Sequence, residues 1–283
     1  MGVKEILEFV KIEHTLFSLP FVFIGALTAG DPTFHQLFWI LLAGIGARGL
    51  AMGLNRIIDR DIDSQNPRTS ERHLVTGSMS MNVAWGLCLI FLSMLLFGAW
   101  KLNEIAFMMS WLPVLVFFIY PYTKRFTWGC HFWLGLCLAL APAGAWLGIV
   151  GGDLGWAAIT EFHWYPEIWF ISFGVMCWIA AFDFNYALMD IEYDKENGIK
   201  SFPAIFGKKL TQKTSILLTF LWFMSFAIAD PSDSVVFGIA AGIMALVNIG
   251  VITRQEQLKD YQSTLFRASV LTGWVLLAGL VAS

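Results

Sequence analysis

Residues 35–63 read HQLFWILLAGIGARGLAMGLNRIIDRDID, an apolar run that passes directly into a group of carboxylates. About 20 mostly apolar residues in a helix are enough to cross the hydrocarbon core of a bilayer, which is roughly 30 Å thick. Comparable runs recur along the whole chain, separated by short polar stretches. The sequence therefore predicts an all-α, polytopic membrane protein with about nine transmembrane helices, near residues 14–30, 35–58, 82–100, 104–120, 131–151, 167–188, 214–229, 234–253 and 264–282.

The composition agrees with a lipid environment. Of the 283 residues, 57% are hydrophobic and 14% are charged, whereas about 25% charge is typical of a soluble globular domain. No stretch is left for a separate soluble domain, so we expect one membrane domain over 1–283, in which 1–13 form a short interfacial helix. The four cysteines lie in or beside apolar runs without a Cys-x-x-Cys pair, which indicates core positions rather than disulfides or a zinc site.

The charged residues divide between the two ends of the predicted helices. Nearly all cations fall at one end, namely Lys4, Lys11, Arg56, Arg60, Arg68, Arg72, Lys124, Arg125, Lys195, Lys200, Lys208, Lys209, Lys213, Arg254, Lys259 and Arg267. At the other end Lys101 stands among the acids Asp31, Glu104, Asp153, Glu161, Glu167, Asp230 and Asp233. By the positive-inside rule, the cation-rich end and the N-terminus face the cytoplasm of a multi-pass protein of the cell membrane.

The first acidic motif stands at the cytoplasmic end of the second predicted span. Asn55, Asp59 and Asp63 recur every four residues. A helix turns by about 100° per residue, so groups at this spacing drift by roughly 40° per step and share one face. Asp61 points away from that face, into solvent. The spacing therefore predicts one acidic face that ends at the membrane surface.

The second acidic motif stands at the corresponding end of the sixth predicted span. Asp183, Asp190 and Asp194 are separated by seven and four residues, which brings them within roughly 40° of one another on a helix. The two acidic faces are therefore expected to end on the same side of the membrane.

Carboxylates stacked along a helix repel one another, and the repulsion grows as they lose contact with water. One compensation is a solvated helix end with the neighbouring cations Arg56, Arg60, Lys195 and Lys200. Another is a divalent metal, because Mg²⁺ is usually held by a few carboxylates together with substrate phosphate oxygens. Two motifs at matching depth favour the metal, with a diphosphate bridging both faces.

Basic loops beside the acids supply the remainder of an anion site. Arg68 and Arg72 follow the first motif, Lys200 follows the second, and Lys124 with Arg125 ends the fourth predicted span. Preplaced cations stabilise a diphosphate most strongly as it leaves and gains charge. Any one of these residues could serve only as a topology signal, but their position beside the acids favours diphosphate binding.

These motifs resemble those of the UbiA-type prenyltransferase family, and the resemblance covers essentially the whole chain. Asn55-x-x-x-Asp59-x-x-x-Asp63 with Asn66-Pro67-Arg68-Thr69-x-x-Arg72 is similar to the family's first aspartate-rich region. Asp190-x-x-x-Asp194 with Gly198-Ile199-Lys200-Ser201 is similar to its second. Tyr122-Thr123-Lys124-Arg125 resembles the basic loop after the fourth helix.

The resemblance implies nine helices around a central cavity with a lipid-facing opening, and a prenyl diphosphate held with Mg²⁺ at the cytoplasmic mouth. The implied ligands of metal and diphosphate are Asn55, Asp59, Asp63, Asp190 and Asp194. The other implied substrate contacts are Lys124, Arg72, Lys200, Arg68, Tyr122, Arg125 and, within the pocket, Arg48. Asp183 could bind metal, orient a cation or act as a base on the acceptor. His73 departs from the pattern, since many members have proline there.

Within the family, the early segment Glu13-His14-Thr15-Leu16-Phe17-Ser18-Leu19-Pro20 looks most like the 4-hydroxybenzoate-type branch of quinone synthesis, which includes relatives acting on a dihydroxynaphthoate. This resemblance implies that diphosphate leaves, an electron-rich ring carbon attacks the allylic cation, and the ring proton is lost. The cavity must exclude water, which would quench the cation. The expected partners are a prenyl diphosphate, an aromatic small-molecule acceptor and the lipid bilayer, and no nucleic acid.

Three alternatives remain open. Within the family, the acceptor could be a glycerol-phosphate lipid or haem. An ion-coupled transporter would use the carboxylates as an ion path, although they lie at one end of the spans and no inverted pair of broken helices is apparent. A membrane haem protein would need facing histidines at mid-bilayer, and the five histidines His14, His35, His73, His131 and His163 offer no such pair.

Overall fold

The computed structural model describes residues 3–11, 15–232 and 234–283, apart from the side chains of Val3 and Lys4. Residues 1–2 and 12–13 of the expected 1–13 helix, His14 at the start of the first predicted span, and Asp233 lie outside the described residues. In the first half of the chain the helices are α1 (Val3–Phe9), α2 (Thr15–Thr28), α3 (Phe34–Ile58), α4 (Arg60–Gln65), α5 (His73–Thr76), α6 (Met81–Leu102), α7 (Glu104–Met109) and α8 (Trp111–Phe126). In the second half they are α9 (Cys130–Leu154), α10 (Ala157–Thr160), α11 (Glu167–Tyr186), a 3₁₀ helix (Ala187–Asp190), α12 (Ile191–Glu196), α13 (Phe202–Ala229), α14 (Val235–Thr253) and α15 (Tyr261–Val281).

Within these ranges, eight helical segments are long and apolar enough to cross a membrane. They are Phe34–Ile58, Met81–Leu102, Glu104–Phe126, Cys130–Leu154, Glu167–Glu196, Phe202–Ala229, Val235–Thr253 and Tyr261–Val281. The shorter apolar helix α2, with 14 residues, occupies the first predicted span. The predicted all-α membrane fold with about nine helices is thus confirmed, and the four cysteines are free and buried, as expected.

Helix α13 begins well before its predicted start at residue 214. Ser201 has an extended backbone and Pro203 lies in the first helical turn, two features that initiate a helix at Phe202. Gly207, with φ 76° and ψ 167°, interrupts the helix, and the exposed Lys208 and Lys209 follow that interruption. Hydropathy detects only the continuous apolar run that begins further along the chain, so the residues before 214 are not predicted to be helical.

Both acidic motifs cross a boundary between two helices, which the spacing of the carboxylates does not predict. Helix α3 ends at Ile58 and α4 begins at Arg60, with Asp59 between them. Helix α11 ends at Tyr186, and the 3₁₀ helix that follows carries Asp190 into α12. Across the first of these boundaries the helical bonds continue, because the Asp59 amide donates to the Asn55 carbonyl and the Asp63 amide to the Asp59 carbonyl. Asn55, Asp59 and Asp63 therefore keep the spacing of one helical face, and Asn55 bonds Asp59 directly.

Small residues bring the helices around the site close together. A Cβ added to Gly25 in α2 would lie 2.2 Å from the carbonyl oxygen of Pro142 in α9. One added to Gly46 in α3 would lie 2.5 Å from the amide nitrogen of Leu95 in α6. Close backbone approach of this kind is how helices associate where lipid removes the hydrophobic driving force. The resulting bundle encloses a cavity of about 640 Å³, lined chiefly by α2, α3, α8, α9 and α11.

Candidate active site

The cavity is apolar along most of its length and polar at one end. Its apolar wall includes Val22, Leu41, Leu138, Trp146 and Ile179. Its polar end is formed by Asn55, Asp59, Asp63, Asn66, Arg68, Arg72, Lys124, Asp183, Asp190 and Asp194. We call this second group the mouth. The first and second acidic motifs therefore open into one space.

Asp59 is the most deeply buried carboxylate of the mouth, with 1% of the residue exposed. The ammonium Nζ of Lys124 lies 2.6 Å from its Oδ2, and Asn55 Nδ2 donates to the same oxygen at 2.8 Å. The other oxygen of Asp59, Oδ1, has no hydrogen-bond partner. Arg125 Nη2 lies 3.7 Å from this Oδ1. Burial raises the pKa of Asp59 above its ordinary value, while the charge of Lys124 opposes that shift.

Asp63 is bound by the loop that follows it. Arg72 Nη1 lies 2.5 Å from its Oδ2, and Thr69 Oγ1 donates to its carbonyl at 3.0 Å. Arg72 immediately precedes helix α5, which begins at His73. His73 Nε2 in turn lies 3.5 Å from Glu8 Oε2 of α1. The histidine at this position is therefore compatible with an Arg72 side chain directed at Asp63.

Asp190 joins the two acidic motifs directly. Arg68 Nε and Nη2 bond its two carboxylate oxygens, with the shortest contact 2.6 Å, and Asn66 Nδ2 donates to Oδ1 at 3.1 Å. A two-pronged arginine–carboxylate contact is strong and fixes geometry. Nearby, Tyr193 Oη donates to the Ile62 carbonyl at 2.8 Å. The first motif and the loop that follows it are thus bonded directly to the second motif.

Four predicted residues lie at different distances from the mouth. Arg48 lines the cavity from the middle of α3, and its buried Nε has no hydrogen-bond partner. Tyr122 and Arg125 pack on each other at 5.3 Å and are not part of the cavity wall. Lys200 is exposed, and its backbone amide donates to the Lys124 carbonyl at 2.8 Å.

Two cavity residues were missed by the sequence reasoning. His131 Nδ1 lies 2.6 Å from Asp183 Oδ2, and Tyr120 lines the cavity one helical turn before Lys124. The signal for His131 was its depth: it stands in the first turn of α9, just after the basic loop, and therefore level with the mouth.

Among the residues that the structure describes, no group of three or more His, Cys, Asp or Glu side chains is close enough to hold a metal ion by itself. Three acids of the mouth are instead paired with bases: Asp59 with Lys124 and, at 3.7 Å, Arg125, Asp63 with Arg72, and Asp190 with Arg68. Such a site can bind a polyanion together with a metal cation, because its bases can contact the polyanion and its acids can contact the cation.

Comparison with known proteins adds three findings. Residues 18–270 match the model of the UbiA prenyltransferase family. Over 292 aligned positions the chain is 26% identical to a protein of Shewanella woodyi named 4-hydroxybenzoate octaprenyltransferase, covering 100% of this chain and 98% of the relative. A further match to a protein of that name, from Vibrio campbellii, extends over 59% of the relative's length.

Solved structures show the same architecture. The apo structure of a UbiA homolog from Aeropyrum pernix has a TM-score of 0.86 and 30% identity, covering 96% of this chain and 98% of that one. A UbiA homolog from Archaeoglobus fulgidus bound to GPP and Mg²⁺ has a TM-score of 0.73 and 20% identity, covering 98% and 99%.

Proposed function

This chain belongs to the UbiA prenyltransferase family, and on that premise we propose that it transfers a prenyl group from a polyprenyl diphosphate to an aromatic acid of the 4-hydroxybenzoate or dihydroxynaphthoate type, a step of quinone biosynthesis that releases diphosphate. The observation that carries the proposal is the meeting of both acidic motifs at one mouth of an apolar cavity, through the Arg68–Asp190 contact. The names of the relatives support the choice of acceptor.

The mouth offers oxygen donors of the kind that Mg²⁺ binds. Asp59 Oδ1 is a buried carboxylate oxygen without a hydrogen-bond partner, and the other candidate donors are also carboxylate or amide oxygens. Mg²⁺ prefers oxygen ligands and usually combines a few carboxylates with substrate phosphates. The residues that would hold it are Asn55, Asp59, Asp63, Asp190 and Asp194. When bound, Mg²⁺ neutralises the charge that develops on the leaving diphosphate.

The cations of the mouth bind and orient the diphosphate. Lys124, Arg72 and Arg68 already lie against carboxylates, so donation to the diphosphate oxygens would free those carboxylates for the metal. Lys200 and Arg125, which lie outside the cavity wall, contribute further positive charge near the mouth. As the allylic carbon–oxygen bond breaks, its electron pair passes to the diphosphate, and these cations stabilise the product charge. The apolar cavity wall keeps water from the allylic cation.

Arg48 supports an acidic acceptor. Its side chain lines the cavity near Tyr120 and Cys137, and its buried Nε lacks a hydrogen-bond partner. A buried charge is costly unless it is paired, and a guanidinium matches a carboxylate with two parallel bonds. We infer that Arg48 binds the carboxylate of the aromatic acid. The ring carbon then attacks the allylic cation, and Asp183, also on the cavity wall, takes the ring proton.

The distribution of cations supports an orientation in the cell membrane with the mouth and the N-terminus at the cytoplasmic side. In that orientation the charged diphosphate reaches the mouth from water, while the isoprenoid chain enters the apolar cavity from lipid.

The proposal is tested by incubating the purified protein with Mg²⁺, geranyl diphosphate and a panel of aromatic acids, followed by mass spectrometry of the products. The panel includes 4-hydroxybenzoate, 1,4-dihydroxy-2-naphthoate and, as a matched control for the acid group, 4-hydroxybenzamide. We expect a prenylated acid and little prenylated amide. Absence of any prenylated aromatic product, with intact protein, would reject the proposed acceptor class.

A further inference from the structure

His131 holds a position that neither the acidic motifs nor the basic loops explain. It stands in the first turn of α9, with 3% of its side chain exposed, and its ring lies between α11 and the start of α13. One ring nitrogen contacts Asp183 and the other contacts the backbone of Phe202. A buried imidazole with both nitrogens bonded has a fixed orientation.

The hydrogen bonds determine which nitrogen carries the proton. The backbone amide of Phe202 donates to Nε2 at 3.0 Å, and an amide N–H can only donate. Nε2 therefore accepts this bond through its lone pair and carries no proton, so the proton of the neutral ring is on Nδ1. Nδ1 accordingly donates to Asp183 Oδ2, 2.6 Å away. Asp183 is held as a hydrogen-bond acceptor.

The contact with Phe202 also satisfies a helix terminus. The first amides of a helix have no partner within the helix, and Ser201, which precedes α13, makes no side-chain capping bond. His131 Nε2 takes the place of that cap. Phe184 packs edge-on against the imidazole, with ring centres 4.8 Å apart, and stacks on Phe202 at 4.2 Å. These contacts leave the ring little freedom to turn away from Asp183.

Asp183 itself faces the cavity. It lines the cavity wall, and 23% of its side chain is exposed. Oδ2 is taken by His131, and Oδ1 makes no hydrogen bond within the described part of the chain. His131 thus fixes Oδ2 of the carboxylate, and Oδ1 remains available on the side of the cavity where the acceptor ring would lie.

We propose that His131 is a positioning residue for the last proton transfer of the reaction. Held through Oδ2, Asp183 presents Oδ1 to the ring carbon that has just formed its bond to the prenyl group. The carbon–hydrogen bond breaks, its electron pair restores the aromatic ring, and the proton passes to Oδ1. The diphosphate has already left with the electron pair of the carbon–oxygen bond. This inference rests on the proposed prenyl transfer.

Three variants separate this role from simple packing. His131→Leu removes both hydrogen bonds, whereas His131→Gln has an amide N–H for Asp183 and an amide oxygen for the Phe202 N–H. His35→Leu is the matched control, because His35 is bonded to Trp39 at 2.8 Å on the exposed surface of α3, outside the cavity. Thermal unfolding and gel filtration in detergent report whether each variant is folded.

The measurement is kcat with normal 4-hydroxybenzoate and with the same acid carrying deuterium at the attacked ring positions. In His131→Leu we expect kcat to fall by about tenfold or more, part of the roughly hundredfold to ten-thousandfold that a general base supplies. Loss of the ring proton then becomes slow enough for deuterium to lower kcat measurably. His131→Gln is expected to recover most of the rate and to lose the isotope effect, and His35→Leu to behave as the wild type.

A folded His131→Leu with wild-type kcat, or with a lowered kcat and no isotope effect, would overturn the inference. If that variant does not fold, Asp183→Asn decides: its amide oxygen can still accept the Nδ1–H, but it cannot act as the proton acceptor. We expect a loss of about a hundredfold, and a wild-type rate would overturn the inference. A wild-type protein that forms no prenylated product would instead reject the proposed function.

Discussion

Lys124 Nζ lies 2.6 Å from Asp59 Oδ2, and this ion pair joins the end of α8 to the end of α3. Asp59 is buried, whereas 25% of the Lys124 side chain is exposed. An ion pair of this kind is costly to break from one side, because the remaining charge stays buried without a partner. Lys124 is therefore fixed at the mouth, where a leaving diphosphate would need a positive charge.

The first prediction concerns this lysine. Lys124→Gln keeps a hydrogen-bond donor for Asp59 but removes the ammonium, so turnover should fall by roughly a hundredfold to a thousandfold, the loss seen when one contact to a developing oxyanion is removed. Lys124→Arg should recover only part of the lost turnover, because the planar guanidinium of arginine does not replace the compact charge of an ammonium group. Steady-state kinetics with geranyl diphosphate measure both effects.

The matched control is Lys208→Gln, at an exposed lysine paired with Glu256 at 3.0 Å outside the mouth. Topology depends on the sum of positive charge in a loop, so both variants should insert normally, as cysteine accessibility would show. A folded Lys124→Gln that loses less than about threefold, far below the range for such a contact, would assign Lys124 to topology alone.

The second prediction compares carboxylates in the mouth with one beside it. Asp63→Asn and Asp190→Asn should abolish turnover, since each removes a charge that metal and diphosphate require. Asp61→Asn should retain activity, because Asp61 is exposed and is not part of the cavity wall. Wild-type turnover in either mouth variant would mean that the two acidic motifs do not form one site.

Much of the fold could be predicted because the bilayer imposes a length on apolar helices. The family resemblance is confirmed by the match over residues 18–270. The part of α13 before residue 214 is not predicted in this way, because the break at Gly207 and the exposed Lys208 and Lys209 separate it from the apolar run that hydropathy detects.

The site could be predicted as residues but not as contacts. The periodicity of Asn55, Asp59 and Asp63 indicates a shared face, and the backbone bonds that join these residues continue across the helix boundary at Asp59. No local pattern indicates that Arg68 bonds Asp190, which is 122 residues away, because that contact depends on how the helices pack. His131 was missed for the same reason, since its partners Asp183 and Phe202 belong to other helices.

The third prediction concerns the metal. Turnover should vanish in EDTA and return with added Mg²⁺. The reason is that lysine and arginine alone do not neutralise the charge of a leaving diphosphate, whose oxygens also coordinate Mg²⁺. Calorimetric titration gives an independent readout: geranyl diphosphate should bind more tightly with Mg²⁺ than in chelator. Full turnover in EDTA would contradict the metal-dependent account.

The fourth prediction concerns the space for the isoprenoid chain. Gly144 lines the cavity from α9, and a Cβ added there would meet no atom within 4 Å. Gly144→Leu should therefore fill part of the cavity and disfavour long prenyl diphosphates. We expect kcat/KM for geranylgeranyl diphosphate, relative to geranyl diphosphate, to fall by roughly tenfold or more, as for a pocket that loses the volume of a few methylenes.

Gly238→Leu is the control for that change, since Gly238 also has open space around it but lies in α14, away from the cavity. Its chain-length preference should equal that of the wild type. An unchanged preference in a folded Gly144→Leu would place the isoprenoid chain elsewhere.

The central claim is that both acidic motifs act together in one prenyl transfer, and the most direct test counts its two products. Purified protein is incubated with Mg²⁺, geranyl diphosphate and 4-hydroxybenzoate, and the prenylated acid and the released diphosphate are quantified together. We predict equal amounts of the two from the wild type, and neither from Asp59→Asn or Asp190→Asn. No prenylated acid from the wild type, or undiminished formation of it by both variants, would contradict the account.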